Sequence, residues 1–163
     1  MQTERLVLRR LEPGDAGFIL ELLNERAFLQ YIGDKGVRTP DDARDYILKG
    51  PIDSYAQHGF GLYAVCVHDA PIGICGLVKR DGLADPDVGF AFLARCGSKG
   101  YAVEAAGAVV THARQVLRIR RIAAITAPDN SRSIAVLEKI GLKYERMIRL
   151  AEHSPELKLF GTA

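Results

Sequence analysis

The stretch that decides the fold is residues 88–127, VGFAFLARCGSKGYAVEAAGAVVTHARQVLRIRRIAAITA. Two apolar runs typical of strands, 88–93 and 120–127, enclose a glycine-containing loop and a long segment with apolar residues at helical spacing. This spacing predicts a helix over 99–117 whose buried side extends to Val116. A strand, a helix and a strand in this order predict two parallel strands joined by a crossover helix.

The segments on either side of this unit predict further strands and helices. Alternating or β-rich runs predict strands over 5–10, 60–67, 72–78, 142–150 and 156–160. Helix starts are indicated by Asp15 and by Thr39, which precedes a proline at the first helical position. Another helix is predicted over 131–140, ending at Gly141. We therefore predict an α+β fold with a mixed sheet, in one domain that spans 1–163.

Composition and charge exclude several classes of protein. The chain has 163 residues, and its 22 Lys and Arg residues against 20 Asp and Glu residues give a net charge of +2, which does not indicate nucleic acid as a partner. No apolar run approaches the about 18 residues of a membrane span, and the start shows no signal segment. The three cysteines form no CxxC motif, so we expect a cytoplasmic protein without a metal site.

The loop between the first strand and the long helix is the first candidate binding site. Gly97-Ser98-Lys99-Gly100-Tyr101-Ala102 precedes the first helical turn, where unpaired backbone N–H groups and the helix dipole favour phosphate. An ordinary strand-to-helix turn is the alternative. The loop matches neither the GxxxxGK[ST] motif of a P-loop nor the GxGxxG motif of dinucleotide-binding proteins.

A second helix start falls near the first. Asn130 and Ser133 begin the helix that follows the second parallel strand, so both helix N-termini are predicted at the same edge of the sheet. Two such N-termini beside a gap between parallel strands form a ligand crevice of the kind used by open α/β sheets. Asn130 is equally explained as a helix cap.

Four segments in this order resemble one known family. TERLVLRRLEPGD (3–15), the hairpin GFGLYAV with IGICGL, SKGYAVEA (98–105) and APDNSRSIAVLEKIGL (127–142) are similar to the GNAT superfamily of acyl-CoA-dependent N-acyltransferases. Within it they resemble the ribosomal-protein N-terminal acetyltransferases. The resemblance covers about 3–160. It implies a twisted, mostly antiparallel sheet flanked by helices, with a parallel strand pair around the cofactor cleft.

The resemblance implies acetyl-CoA as the cosubstrate and no metal. Backbone amides of the loop would hold its pyrophosphate, and the preceding strand would pair with its pantetheine arm. By position these residues are Ser98, Lys99, Gly100, Tyr101 and Ala102 for the loop, and Phe90, Ala91 and Phe92 for the strand. Asn130 would contact the pantetheine or the thiol end. The implied reaction is direct transfer of an acetyl group from the thioester to a primary amine.

Three positions depart from the family pattern. Gly97 replaces an Arg or Gln, Ser98 replaces a Gly, and Leu137 replaces the Tyr that protonates the thiolate in many members. The resemblance makes Ser133 the candidate acid instead, with a capping hydroxyl and protonation through water as the alternatives. Asp87 is the candidate base. Its alternatives are a solvated carboxylate at a strand edge and the absence of a dedicated base, since free amines have a pKa near 8.

Other residues and partners complete the hypothesis. Glu104 is expected to hold the loop structurally, Cys96 is expected to carry no acyl group, and the basic cluster 118–121 is either a solvated helix end or a contact for the 3′-phosphate. The acceptor is a peptide N-terminus or a small amine, and a homodimer is compatible with the family. The rival hypotheses are a noncatalytic coenzyme A-binding or regulatory module of the same fold and a nucleotide- or phosphate-binding protein that uses the loop for another ligand.

Overall fold

A seven-stranded sheet forms the centre of the molecule in a computed structural model that describes residues 1–163. Its strands are β1 (Val7–Arg10), β2 (Leu62–Val67), β3 (Ala70–Val78), β4 (Asp87–Phe92), β5 (Ala123–Thr126), β6 (Lys143–Ile148) and β7 (Leu157–Gly161). Their order across the sheet is β1-β2-β3-β4-β5-β7-β6. All neighbours are antiparallel except β4 and β5, which are parallel. The predicted mixed, mostly antiparallel α+β fold is confirmed.

Six α-helices flank this sheet. They are α1 (Ala16–Leu23), α2 (Arg26–Tyr31), α3 (Pro40–Ile47), α4 (Asp53–His58), α5 (Tyr101–Gln115) and α6 (Ser131–Lys139). Short 3-10 turns at Pro13–Asp15 and Ala94–Cys96 precede α1 and α5, and a π-helical turn, Leu48–Ile52, joins α3 to α4. None of the helices combines the length and the apolarity that a membrane crossing requires.

Each face of the sheet carries its own hydrophobic cluster. The α5 cluster packs α5 and α6 on one face through residues such as Val109, Leu137, Ala124 and Phe160. The α1 cluster packs α1, α2 and α3 on the other face, over side chains of β2 and β3. Residues of both clusters alternate along β2, because successive side chains of a strand point to opposite faces.

Half of the second face has no helix over it. Ala124 and Phe160 belong to the α5 cluster, so their chain neighbours Ala123, Ile125 and Leu159 point to the opposite face. The α1 cluster contains no residue of β5, β6 or β7. No helix therefore covers the sheet along these three strands, a half that we call the open face although Ala123 and Leu159 are themselves buried beneath the β3–β4 connection and arginine side chains.

Local sequence signals explain several element boundaries. The Thr39 hydroxyl accepts a hydrogen bond from the Asp42 N–H at 3.1 Å, as expected for an N-cap. His68 and Asp69 both have positive φ, which makes the β2–β3 connection a two-residue hairpin turn. Gly141 follows the C-cap residue Ile140 of α6 and has a φ of +95°, as a left-handed residue after a helix C-terminus does.

Some expected boundaries are wrong. Asp15 makes no capping hydrogen bond to α1, because its carboxylate accepts hydrogen bonds from Arg9 and the Glu12 N–H. The strand predicted from residue 120 begins at Ala123. The expected burial of Val116 is also wrong, since α5 ends at Gln115 and Val116 is 64% exposed. α4 was not predicted, because Gly50 and Pro51 indicate the end of a helix when tertiary contacts are unknown.

We expect Asp15→Asn to destabilise the fold at neutral pH by about 1–3 kcal/mol, because two Arg9 nitrogens lose a buried anionic acceptor at 2.8 Å. Hydrogen bonds from Arg9 lower the pKa of Asp15 although burial opposes them. The stabilisation is therefore complete above the unfolded pKa of about 3.9 and is lost as the pH falls through the folded pKa. Urea unfolding across this pH range measures it.

The matched control is Asp34→Asn, which removes an exposed ion pair with Arg38. Solvent screens such a pair, so its loss should change the unfolding free energy far less. Equal effects of the two substitutions would contradict the buried role of Asp15.

Candidate active site

The loop before α5 has the backbone of an anion-binding turn. It leaves the 3-10 turn at Cys96, passes through Ser98 with a φ of +62°, and enters the helix at Gly100 with a φ of +78°. Only glycine adopts such a positive φ without steric cost, so Gly100 is required by the conformation. Ser98 adopts it as a non-glycine residue, which is uncommon and strained.

This conformation leaves a run of backbone donors free. The Gly97 N–H donates to the Ala94 carbonyl, and the Glu104 N–H donates to the Gly100 carbonyl. The six N–H groups between them, from Ser98 to Val103, have no acceptor in the protein. They lie at the positive end of the α5 dipole, so the loop fits a diphosphate or another anion.

The N-terminal segment holds this loop in place. Arg5 donates from Nη1 to the Lys99 carbonyl at 2.8 Å and from Nε to the Glu104 carboxylate at 2.7 Å. The Thr3 hydroxyl and the Arg5 N–H donate to the other Glu104 oxygen at 2.5 and 2.9 Å. Burial raises the pKa of Glu104, but these hydrogen bonds outweigh it and lower the pKa. The Arg5 guanidinium also lies 4.6 Å from the centre of the Tyr101 ring.

A gap opens between β4 and β5 beside this loop. The two strands share one residue pair, Asp87 opposite Ala123, whose N–H donates to the Pro86 carbonyl at 2.9 Å. Beyond this pair β4 continues to Phe92 without β5 beside it. Backbone groups of alternate residues face alternate sides of a strand. Those of Phe90 and Phe92 therefore face the gap, whereas those of Ala91 face its β3 partner Ile74.

Asn130 and Ser133 lie at the start of α6, which directly follows β5. The Asn130 Oδ1 atom accepts a hydrogen bond from the Ser133 N–H at 3.2 Å, so Asn130 caps the helix. The Asn130 Nδ2 group and the Ser133 hydroxyl have no partner in the protein. Leu137 is 1% exposed and packs in the α5 cluster.

Asp87 lies at the closed end of the gap. Its side chain is 1% exposed, and Oδ1 accepts a hydrogen bond from Arg80 Nε at 2.8 Å. Burial raises the pKa of Asp87, and the attraction of Arg80 only partly offsets this. The alternative of a solvated carboxylate at a strand edge is wrong, because Asp87 belongs to the central strand β4 and is buried.

Two residues of this region were missed at the sequence level. Arg80 leaves β3 two residues after Val78, which is opposite Asp87 in the hairpin register. That register would have pointed to Arg80. Tyr46 of α3 lies close enough to Arg80 for its charge to affect the tyrosine: burial raises the pKa of Tyr46, and Arg80 opposes it. No sequence signal links Tyr46 to this place, because α3 reaches it through tertiary packing.

Other residues considered from the sequence lie outside the gap. Cys96 is half-buried and packs against both hydrophobic clusters. Arg118 and Arg120 follow the C-terminus of α5, about 22 Å along the 15-residue helix from the glycine loop. Arg121 donates to Asp85 and Glu145 instead. No three His, Cys, Asp or Glu side chains lie together in a way that could hold a metal ion.

Comparisons with known proteins agree with this architecture. The model of the acetyltransferase (GNAT) domain family matches residues 5–143. The chain is 30% identical over 145 residues to the uncharacterized N-acetyltransferase YnaD of Bacillus subtilis, covering 88% of this chain and 82% of that one.

Solved structures share the fold across almost the whole chain. A GNAT-family acetyltransferase from Bacillus anthracis is 25% identical, with a TM-score of 0.80 over 99% of this chain and 96% of that one. RimL, a ribosomal L7/L12 α-N-protein acetyltransferase solved with coenzyme A, is 18% identical, with a TM-score of 0.84 over 98% and 94%. The family resemblance read from the sequence is confirmed: this chain belongs to the GNAT family and is an acetyltransferase.

Proposed function

We propose that the protein transfers an acetyl group directly from acetyl-CoA to a primary amine, which is a peptide N-terminus or a small amine. The observation that carries this proposal is the gap between β4 and β5, with six free backbone N–H groups at its mouth. A linear ligand with a diphosphate at one end and an amide-containing arm at the other matches both features.

In this proposal the loop holds the diphosphate of the cosubstrate. Free amides of Ser98, Lys99, Gly100, Tyr101 and Ala102 donate to it, assisted by the helix dipole. Gly97 offers no side chain where the family has an Arg or Gln. Arg5 supplies a cation there, since its Nη2 has no hydrogen-bond acceptor and lies 3.4 Å from where a Cβ of residue 100 would be.

The strand edge holds the arm of the cosubstrate. Phe90 and Phe92 present backbone donors and acceptors to the gap. Ala91 lies between them, and its backbone groups face β3 instead. Asn130 faces the same end of the sheet with its Nδ2 group unpaired, so it is suited to an amide carbonyl of the arm or the thioester end.

The reaction needs one proton removed and one delivered. The amine nitrogen forms a bond to the thioester carbonyl carbon while the carbon–sulfur bond breaks, and a backbone N–H of β4 polarises the carbonyl. Asp87 accepts the proton that the amine releases, since its raised pKa favours protonation. Ser133 protonates the leaving thiolate through its unpaired hydroxyl, or water does so in its place.

One observation keeps a noncatalytic module of the same fold as the second candidate. Leu137 occupies the position of the tyrosine that protonates the thiolate in many relatives, and it is buried without a polar group. Such a module would bind acetyl-CoA but release no thiol when an amine is added.

An acceptor screen tests which primary amine the protein acetylates. RimL, a ribosomal L7/L12 α-N-protein acetyltransferase, shares the fold. The acceptor screen therefore includes peptides with a free N-terminus as well as small amines. The expected cellular site is the cytoplasm, and the same screen run at several protein concentrations reports whether a homodimer is the active form.

We expect acetyl-CoA at about 100 times its Kd to stabilise the protein by about 2.7 kcal/mol, which corresponds to a Tm shift of about 5–10 °C. Gly100→Glu should abolish this shift, because it adds a carboxylate beside the free amides. Gly141→Glu is the control, since residue 141 has the same left-handed backbone in open space. Thermal unfolding with acetyl-CoA, ATP and NAD measures the effect, and an equal shift with ATP or NAD would favour the rival nucleotide-binding hypothesis.

Ser133→Ala tests the acid. If the hydroxyl protonates the thiolate, kcat should fall about 10²-fold or more while KM for acetyl-CoA stays the same. Ser131→Ala, in the same helical turn, is the control. Thiol release with an amine acceptor measures both variants, and an unchanged kcat would assign the proton to water.

Asp87→Asn tests the base. Burial raises the pKa of Asp87, so the acidic limb of the pH profile of kcat/KM should lie above the ordinary Asp value of about 3.9. Activity is full above the folded pKa and falls as the pH drops through it. The substitution should lower kcat/KM about 10²-fold or more and remove this limb, whereas Asp85→Asn should keep it. If the acidic limb of the kcat/KM profile persists in Asp87→Asn, it reports deprotonation of the amine substrate, and Asp87 is not the base.

A further inference from the structure

A pocket of about 430 Å³ lies on the open face of the sheet, and the transfer chemistry leaves its purpose unassigned. Its floor is formed by Ala123 of β5, Leu159 of β7 and Ile148 of β6. Ala123 is the residue opposite Asp87, so the pocket begins at the closed end of the gap. Opposite residues of paired strands point to the same face, so Asp87 and this pocket share one side of the sheet.

The β3–β4 connection forms a wall of this pocket. Residues 82–85 line it, and Gly82 has a φ of +90°. A Cβ at residue 82 would lie 2.6 Å from the Leu150 carbonyl, which is closer than real Cβ contacts. The glycine thus lets the connection pass directly against the β6–β7 turn, and the pocket lies between this wall and the sheet, with one side open to solvent.

The charges in the pocket are paired except one. Arg121 donates to Asp85 at 3.0 Å, to Glu145 at 2.5 Å and to the Thr162 carbonyl at 2.9 Å. Arg149 donates to the Ser154 carbonyl at 2.7 Å and to Glu156 at 3.2 Å. Arg146 lines the same pocket and has no hydrogen-bond or ion-pair partner.

The strand register gives the distance from this cation to the gap. Ile125 of β5 is opposite Leu159 of β7, which is opposite Arg146 of β6. Two strand spacings place the Arg146 backbone about 10 Å from β5, and its side chain lines the space between them. The gap lies on the far side of β5, so an acceptor with its amine there spans about 10 Å or more, part of which the extended Arg146 side chain covers.

We propose that this pocket binds the acceptor and that Arg146 selects an amine carrying a carboxylate, as in a peptide with Asp or Glu next to its N-terminus. This inference rests on the proposed acetyl transfer, because it assigns the amine to the gap. A guanidinium without a hydrogen-bond partner binds a carboxylate through two parallel N–H donors. The neighbouring Glu145 accepts its hydrogen bond from Arg121, which lowers the pKa of that carboxylate, and the Arg146 charge only adds to this effect, so the Arg146 donors stay available. Arg146 is a specificity residue and takes no part in the proton transfers.

The test compares two peptides with a free N-terminus that differ only in Asp or Asn at the second and third positions. For the wild-type protein, kcat/KM should be about 10- to 100-fold higher with the Asp peptide. Arg146→Gln should reduce this ratio to about one, and Arg146→Glu should invert it. Arg114→Gln is the control, since Arg114 is an exposed, unpaired arginine of α5 on the other face of the sheet, and it should keep the ratio. The same comparison of kcat/KM with free aspartate and free asparagine distinguishes a small acceptor from a peptide, since a preference for free aspartate would indicate a small acceptor.

A binding measurement separates this inference from the proposed function. Titration calorimetry of both peptides into coenzyme A-loaded protein should show tighter binding of the Asp peptide, and Arg146→Gln should remove the difference. Equal affinities for the wild-type protein, or a difference that persists in Arg146→Gln, overturn the inference while acetyl transfer stands. Arg146-dependent binding without thiol release for any amine overturns the transfer and leaves the pocket as a carboxylate site.

Discussion

Two parallel strands that share a single residue pair leave backbone donors and acceptors without partners, and this gap organises the whole molecule. Unpaired backbone groups are costly when buried, so a sheet opens in this way only where water or a ligand takes their place. β4 and β5 separate beyond Asp87 and Ala123. The glycine loop and the start of α6 lie at this opening, and the pocket on the open face begins at its closed end.

Residues distant in the chain anchor the loop at the mouth of the gap through hydrogen bonds. Glu104 accepts hydrogen bonds from Thr3 and Arg5, and Arg5 also donates to the Lys99 carbonyl. In this network Arg5 pairs with Glu104 and with the Lys99 carbonyl. The N–H groups from Ser98 to Val103 stay free. The strained backbone of Ser98 is maintained in advance, so a bound anion does not have to order the loop.

The two halves of the second face of the sheet differ in what covers them. α1–α3 bury one half, and there the Arg80–Asp87 pair is enclosed. The other half has no helix over it. Its arginines Arg121 and Arg149 each form an ion pair with an acidic side chain, and Arg146 forms none. In the proposed reaction, Asp87, whose pKa burial raises, accepts the proton of an amine, and Arg146 binds a carboxylate of the same acceptor.

The sequence by itself determined the strands, the crossover unit 88–127, the helix starts at Thr39 and Asn130 and the left-handed Gly141, because periodicity and turn chemistry act over a few residues. The free amides of the loop followed from the same local rules. Only the tertiary structure decided that β4 and β5 diverge after one pair, that Arg80 pairs with Asp87, that the chain stays helical through Pro51 into α4 and that Arg146 has no hydrogen-bond partner. These features depend on contacts between residues remote in the chain, where packing and desolvation outweigh local preference.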